Sequence, residues 1–305
     1  MLNVATFCVL LACCVPPGIG LASEGNCPPD GYTRQQLQQI RKAGFEMESA
    51  GQTNALAIAL LGCVGDPDPD VRDAVVFEGL SAWMRGQRLS NETIHALYAG
   101  LVEQLGNSDD PGGFRRPFAA LILSEIARTD RLGNTLTPAM REELVLRAAD
   151  YLANVRDYRG FSATEGWRHA VAHGADLVLQ LVLDPHIDAG QIERLMAALA
   201  LQVAPPGEVF YIYGEPDRLA RAVYYAHARE LVGEPYWLQW FAGISDPRPL
   251  ENWAAAWTSQ EGLARRHNTR AFLLALHFNA TLAADEQGAA LAGLVVQAMT
   301  RLSGG

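Results

Sequence analysis

Residues 66–83, DPDPDVRDAVVFEGLSAW, have the pattern of a helix with a well-defined start. Aspartates and prolines occupy the predicted first turn, where proline loses no backbone hydrogen bond and the helix dipole favours negative charge. Apolar residues then recur at helical spacing from Val71 to Trp83, which indicates one buried face. The segment therefore predicts a helix over 69–85.

Similar apolar spacing continues along nearly all of the chain after Tyr32, and Gly, Pro, Asp and Asn separate the segments. We predict an all-α fold in which Ser90 is a helix N-cap and SATE, residues 162–165, is a capping box. The predicted helices are 33–48, 53–64, 69–85, 90–105, 115–130, 138–154, 163–183, 188–203, 216–231, 235–244, 249–258, 261–281 and 284–302.

The opening of residues 66–83 also resembles the start of a HEAT-type helical hairpin. The chain shows no clean period of about 40–47 residues, which such repeats have. We therefore expect an irregular stack of helical hairpins, either a HEAT-like α/α superhelix or an α/α ring. Since no Pro/Ser-rich linker divides the chain, residues 23–305 are predicted to form a single all-helical domain.

The composition is that of an acidic globular protein. Hydrophobic residues make up 49% of the 305 residues, and 34 acidic against 24 basic residues give a net charge of −10. An acidic surface repels phosphate backbones, which argues against nucleic acid as a partner. After the N-terminus, no stretch reaches the ~20 apolar residues that span a bilayer, so no transmembrane segment is expected there.

Residues 1–22, MLNVATFCVLLACCVPPGIGLA, have features of a signal peptide. They carry no charge, run apolar from Val4 to Val15 and end in small residues, which predicts export to the periplasm or secretion. The positive n-region of a signal peptide is missing, and a mis-assigned start or an unstructured tail is the alternative. A lipoprotein anchored at Cys13 is a third interpretation, which the short hydrophobic run before that residue disfavours.

Two cysteines, Cys27 and Cys63, follow the predicted leader. They could form one disulfide in an oxidising compartment. Equally, both could stay free, with Cys63 buried as a small hydrophobic residue. The sequence leaves both states open.

The most distinctive chemistry lies in residues 166–181, GWRHAVAHGADLVLQL. On a helix, His169, His173, Asp176 and Gln180 would share an arc of about 60°, while the remaining faces are apolar or small. Two histidines one turn apart can bind a divalent metal such as zinc, and Asp176 could add an oxygen ligand or orient a histidine.

Two carboxylates of the segment YGEPDR, Glu215 and Asp217, could complete such a metal site. Ala170 stands where the metalloprotease motif has its glutamate general base, so that reaction class is discarded. The alternative for the histidine stripe is a hydrogen-bonded network that fixes helix packing. The cofactor therefore stays unknown, with zinc as one possibility.

Several segments together resemble a bacterial family, the domain of unknown function 2785 (DUF2785), over roughly residues 35 to 280. The segments are DPDPDVRDAVVFEGLSAW, RRPFAALIL, YLANVRDYRGFSATEGWRHAVAHGADL, YGEPDRLARAV and NTRAFLLALHF. The resemblance implies an all-α fold and supplies no activity. Its signature positions are Arg159, Trp167, His169, His173, Asp176, Asp217 and Arg218. The leader and Pro117, which follows the second arginine of RRPF, depart from the family pattern.

Two functions are compatible with these features. The first is a non-enzymatic scaffold of helical hairpins that binds a protein or peptide partner in a concave surface. The second is a hydrolase or lyase of the cell envelope, in which His169 and His173 are metal ligands or act as general acid and base, and Asp176 orients one of them.

Overall fold

The computed structural model describes residues 26–303, of which 68% are helical, and it packs 13 α-helices together. The helices are α1 Arg34–Lys42, α2 Ala50–Ala59, α3 Pro69–Val71, α4 Glu78–Arg85, α5 Asn91–Gly106, α6 Arg115–Gly133, α7 Pro138–Ala153, α8 Ala170–Val182, α9 Ala189–Ala200, α10 Glu215–Ala228, α11 Glu234–Ile244, α12 Gln260–Ala283 and α13 Glu286–Ser303. The predicted leader, including Cys13, lies outside the described residues.

The predicted helix over 69–85 is confirmed. A π-helical segment, Arg72–Phe77, joins α3 to α4, so that helical residues run without a break from Pro69 to Arg85. The side chain of Asp68 caps the start by accepting a hydrogen bond from the amide of Asp70. The local sequence therefore encodes this helix, as the acidic and proline residues of its first turn predict.

The predicted helix over 163–183 is wrong in its first seven residues, because α8 begins only at Ala170. A short antiparallel hairpin precedes it, in which strand β1, Phe161–Ser162, pairs with strand β2, Gly166–Trp167. Gly166 and His169 have φ angles of 73° and 57°, in the left-handed region, which a right-handed helix cannot contain. The predicted capping box is instead a local turn.

Two other predicted helices differ from the structure by more than three residues at one end. The helix predicted over 33–48 ends at Lys42, because Gly44 and Phe45 adopt left-handed φ angles of 69° and 61°. The segment 249–258 forms only a 3-10 helix, Trp253–Thr258. A second 3-10 helix, Leu60–Cys63, extends α2. These differences shorten elements and leave the all-helical character of the fold unchanged.

The helices pack in two rows. In one row α6 contacts α8, α8 contacts α10, and α10 contacts α12. In the other, α5 contacts α7, α7 contacts α9, α9 contacts α11, and α11 contacts α13. One hydrophobic cluster runs through both rows from Leu37 to Leu302, so the apolar faces of the helices share a single core.

A disulfide joins Cys27 to Cys63 and connects the N-terminal segment to the 3-10 helix that follows α2. This settles the alternative that the sequence left open, and Cys63 is also fully buried. Among the described helices, none is both long enough and apolar enough to cross a bilayer.

Candidate functional site

The candidate site lies where three connecting segments meet. These are 107–114, 154–169 and 201–214, and they lead into α6, α8 and α10, three neighbouring helices of one row. The Nε2 atom of His169 lies 2.8 Å from the carbonyl oxygen of Tyr213, which ties the second segment to the third. The site is therefore formed by the N-terminal ends of packed helices and the loops before them.

Two buried arginines hold these segments together. Arg72 is fully buried and donates hydrogen bonds to the carbonyl oxygens of Asp66 and Glu165, at 2.9 and 2.8 Å. Arg168, 6% exposed, donates to the carbonyl oxygen of Gly112 at 2.8 Å. Both guanidinium groups lie over the ring of Phe114, at 4.1 and 4.2 Å from its centroid.

Neither arginine is among the site residues predicted from the sequence. Each has a local carboxylate partner, Asp73 for Arg72 and Glu165 for Arg168, but the contacts that join the segments go to backbone carbonyls 93 and 56 residues away, which local spacing does not reveal. The sequence signals that point to them are these local charge pairs and the family segments that surround both residues.

Arg159 and Gly160, in the RGF motif of the sequence, connect the middle segment to its neighbours. Arg159 forms an ion pair with Asp157 and donates to the carbonyl oxygen of Gly112. A Cβ atom at Gly160 would lie 2.0 Å from the ring of Tyr213, so only glycine leaves room for that ring. The close approach of these two segments therefore depends on Gly160.

The hairpin carries aromatic side chains that are partly open to solvent. Phe161 is 51% exposed and Trp167 is 37% exposed, with their ring centroids 5.0 Å apart. Trp167 also stacks on His169 at 4.3 Å and meets the ring of Tyr213 edge-on at 5.9 Å. We call these four residues the aromatic platform.

The two histidines are neighbours but differ in environment. Burial lowers the pKa of His169, and a larger burial effect lowers the pKa of His173 to about 3. The His173 ring packs edge-on against Phe118 and His169, and its Nδ1 atom has no hydrogen-bond partner. At neutral pH, His173 is an uncharged core side chain.

The carboxylates predicted to complete a metal site face other partners. Asp176 forms an ion pair of 2.6 Å with Arg218, and Glu215, which is buried, accepts a hydrogen bond from the amide of Tyr213. Burial raises the pKa of Asp176, and the Arg218 guanidinium opposes that shift. Asp217 is exposed.

The predicted metal ligands His169, His173, Asp176, Glu215 and Asp217 are not assembled into one ligand set. Within residues 26–303, no group of three or more His, Cys, Asp or Glu side chains is placed to hold a metal ion. The physical reason is that the helix starts after His169, whose ring turns to Tyr213, while Asp176 turns to Arg218. Of these five residues, the structure packs the two histidine rings against each other, with centroids 5.7 Å apart.

Residues 101–278, more than half of the 305-residue chain, match the protein family described as Protein of unknown function (DUF2785). The chain belongs to this family. This confirms the resemblance predicted from the sequence motifs, over a range that begins later than they suggested. No curated protein and no solved structure matches the chain.

The seven residues predicted from the sequence resemblance as signature positions lie at the candidate site or beside it. They are Arg159, Trp167, His169, His173, Asp176, Asp217 and Arg218. Several of them contact another segment of the chain. Arg159 donates a hydrogen bond to the loop before α6, and His169 forms a hydrogen bond with the segment before α10. Asp176 forms an ion pair with Arg218 in α10. The contacts of Arg159 and His169 connect the segment that carries the aromatic platform to the loops before α6 and α10.

Proposed function

We propose that this DUF2785 protein is a binding protein rather than an enzyme, and that the aromatic platform contacts a protein or peptide partner. The observation that carries the proposal is the exposed pair of Phe161 and Trp167 on a hairpin anchored by buried arginines. Large aromatic side chains supply much of the energy of protein interfaces, and a preformed surface loses little entropy on binding.

The charged side chains around the platform favour an apolar partner segment. Arg159 is paired with Asp157, Arg168 with Glu165, and Arg218 with Asp176. These three pairs neutralise their own charges, and Phe161 and Trp167 are the large apolar side chains exposed beside them. We infer that the partner offers aliphatic or aromatic side chains to Phe161 and Trp167.

We further propose that the helices form an open HEAT-like superhelix. This proposal is supported by the helix packing: each helix from α5 to α11 packs against the helix two positions later in the chain, as α5 does against α7. Stacked helical hairpins pack in this way. A closed α/α ring would need substantial packing of α1 or α2 on α12 or α13, and the described helices make none. An open stack offers an extended surface on which a partner can lie.

We also propose that the protein is exported to the periplasm or secreted. The disulfide between Cys27 and Cys63 supports an oxidising compartment, where such bonds persist. Fractionation of cells that express residues 1–305 with a C-terminal tag tests it: we expect shortened protein in the periplasm or medium. Full-length protein confined to the cytoplasm would refute export.

No specific observation favours the hydrolase or lyase alternative. A general acid or base works best with a pKa near the operating pH, and His173 has a pKa of about 3. The Nε2 atom of His169 is engaged with Tyr213, and Asp176 is paired with Arg218 rather than with a histidine. Elemental analysis of wild-type protein beside His173→Ala tests the zinc prediction, and we expect no stoichiometric metal in either.

The binding proposal can be tested with a phage-displayed library of 12-residue peptides selected on the wild-type protein. We expect enriched peptides rich in apolar residues that lose at least tenfold affinity for Phe161→Ser. The matched control is Leu132→Ser, because Leu132 is 63% exposed near the far end of α6, about 25 Å along the helix from Arg115. Peptides that bind both variants equally, or a failure to enrich any peptide, would refute the proposal.

A further inference from the structure

A cleft separate from the aromatic platform lies between α9, α11 and the first turns of α12. Its volume is about 630 Å³, within the range of pockets that bind small molecules. Its walls are mainly apolar and include Leu201, Trp240, Ile244 and Leu250. The dimensions and chemistry of the cleft therefore suit a small ligand with a large apolar part.

The aromatic side chains in the wall turn their polar ends away from the cleft. The indole nitrogen of Trp240 donates a hydrogen bond to the carbonyl oxygen of Met196 at 2.9 Å. The hydroxyl of Tyr236 donates a hydrogen bond to the carbonyl oxygen of Glu193 at 3.0 Å. Trp240 is 7% exposed and packs against Trp237 and Phe272, so the part of its ring that borders the cleft is apolar. The apolar character of the wall is thus set by the protein itself.

One cation, Arg265, also lines the cleft. Its Nη2 atom donates to the carbonyl oxygen of Asp246 at 3.1 Å, whereas its Nε–H is buried without an acceptor. Two carboxylates are nearby: Asp246 is paired with Arg248, and Glu261, which also lines the cleft, accepts a hydrogen bond from the amide of Gly207. Within residues 26–303, Arg265 has no carboxylate within 4 Å.

We propose that this cleft binds a small amphipathic carboxylate, whose apolar chain or ring lies on Trp240 and Leu250 and whose carboxylate pairs with Arg265. A guanidinium with unused donors beside an apolar wall is suited to such a molecule, since a carboxylate can accept two of its hydrogen bonds. This site is independent of the aromatic platform, so either proposal can fail without the other.

Isothermal titration calorimetry with decanoate, 1-naphthylacetate and decanol tests the assignment. We expect at least one of the two carboxylates to bind with one-to-one stoichiometry, and decanol to bind at least tenfold more weakly than decanoate. In Arg265→Gln, carboxylate affinity is expected to fall at least tenfold while decanol binding stays unchanged. Unchanged decanol binding also shows that the variant is folded.

A second variant fills the cleft. Gly243 lines it in α11, and a Cβ atom there would meet nothing within 4 Å, so the side chain of Gly243→Leu would start in open space at the cleft. We expect this variant to lose binding of every probe. Gly293→Leu is the matched control, because Gly293 is also an exposed helical glycine with open space around its Cβ position and it lies in α13, outside the cleft.

Three results would overturn the proposal: no binding of either carboxylate to the wild type, equal binding of decanoate and decanol, or unchanged binding to Gly243→Leu. The first would refute a site for this ligand class. The second would refute the role of Arg265, and the third would place the probes elsewhere on the protein.

Discussion

At the scale of single residues, His173 illustrates how burial changes an ionisable side chain. Its ring is enclosed by Phe118 and His169, and its pKa is about 3 in the folded protein against 6.5 for a free histidine. The folded protein therefore binds fewer protons than the unfolded chain below pH 6.5. The stability that depends on neutral His173 is complete above pH 6.5 and is lost as the pH falls toward 3.

This gives a prediction for His173→Phe, a ring of similar size without titratable nitrogens. Between pH 7 and pH 5 the wild type is expected to lose about 2 kcal/mol of unfolding free energy through His173, and the variant is expected to lack that loss. At pH 7 the variant should be as stable as the wild type or more stable, because the unpartnered Nδ1 atom is removed. Urea unfolding at pH 7 and at pH 5 measures the unfolding free energy of both proteins. Equal pH dependence in both proteins would contradict the prediction.

At the scale of elements, the hairpin before α8 depends on Arg72. Its guanidinium connects the helix Pro69–Arg85 to the hairpin through the carbonyl oxygen of Glu165. Arg72→Leu is expected to lower the unfolding free energy by about 3–5 kcal/mol, because buried carbonyls lose their donor and Asp73 loses its ion-pair partner. Urea unfolding measures the loss, and hydrogen exchange of residues 161–168 should report local opening.

Arg248→Leu is the control for Arg72→Leu. Arg248 also forms an ion pair with an aspartate close to it in sequence, but its side chain is 84% exposed. Its loss is expected to change the unfolding free energy by no more than about 0.5 kcal/mol. A similar change in both variants would show that Arg72 does not hold the hairpin.

The disulfide connects two elements that are separated by 36 residues along the chain. Closing a loop of that length is expected to stabilise the fold by roughly 3–4 kcal/mol, mainly by restricting the unfolded chain. The double variant Cys27→Ser and Cys63→Ser should therefore unfold at lower urea concentration than the wild type. A reducing agent should lower the midpoint of the wild type alone. A wild-type midpoint that does not change with the reducing agent would mean that the disulfide does not form.

At the scale of the whole molecule, the single core that runs from Leu37 to Leu302 predicts one cooperative unfolding transition. Five of the six tryptophans lie after residue 166, so their fluorescence reports mainly on the second half of the chain, whereas circular dichroism reports on all helices. The two urea transitions are expected to coincide. A transition that differs by probe would argue for two folding units instead of the predicted single domain.

The sequence by itself determined the helical class, most helix positions and the family. Each of these depends on local information: apolar spacing within a few turns, caps such as Ser90, and short motifs such as RGF followed by GWRHAVAHGAD. The predicted helix over 69–85 was confirmed because its start signals and its buried face lie within the same segment.

Only the tertiary structure decided what the site contains. Helical spacing placed His169 on α8 beside Asp176, but its contact with Tyr213 and its left-handed backbone place it before the helix. Arg72 and Arg168 act through carbonyl groups 93 and 56 residues away, and the walls of the cleft come from segments between residues 197 and 265. Such contacts depend on how distant segments pack, which periodicity within one segment does not encode.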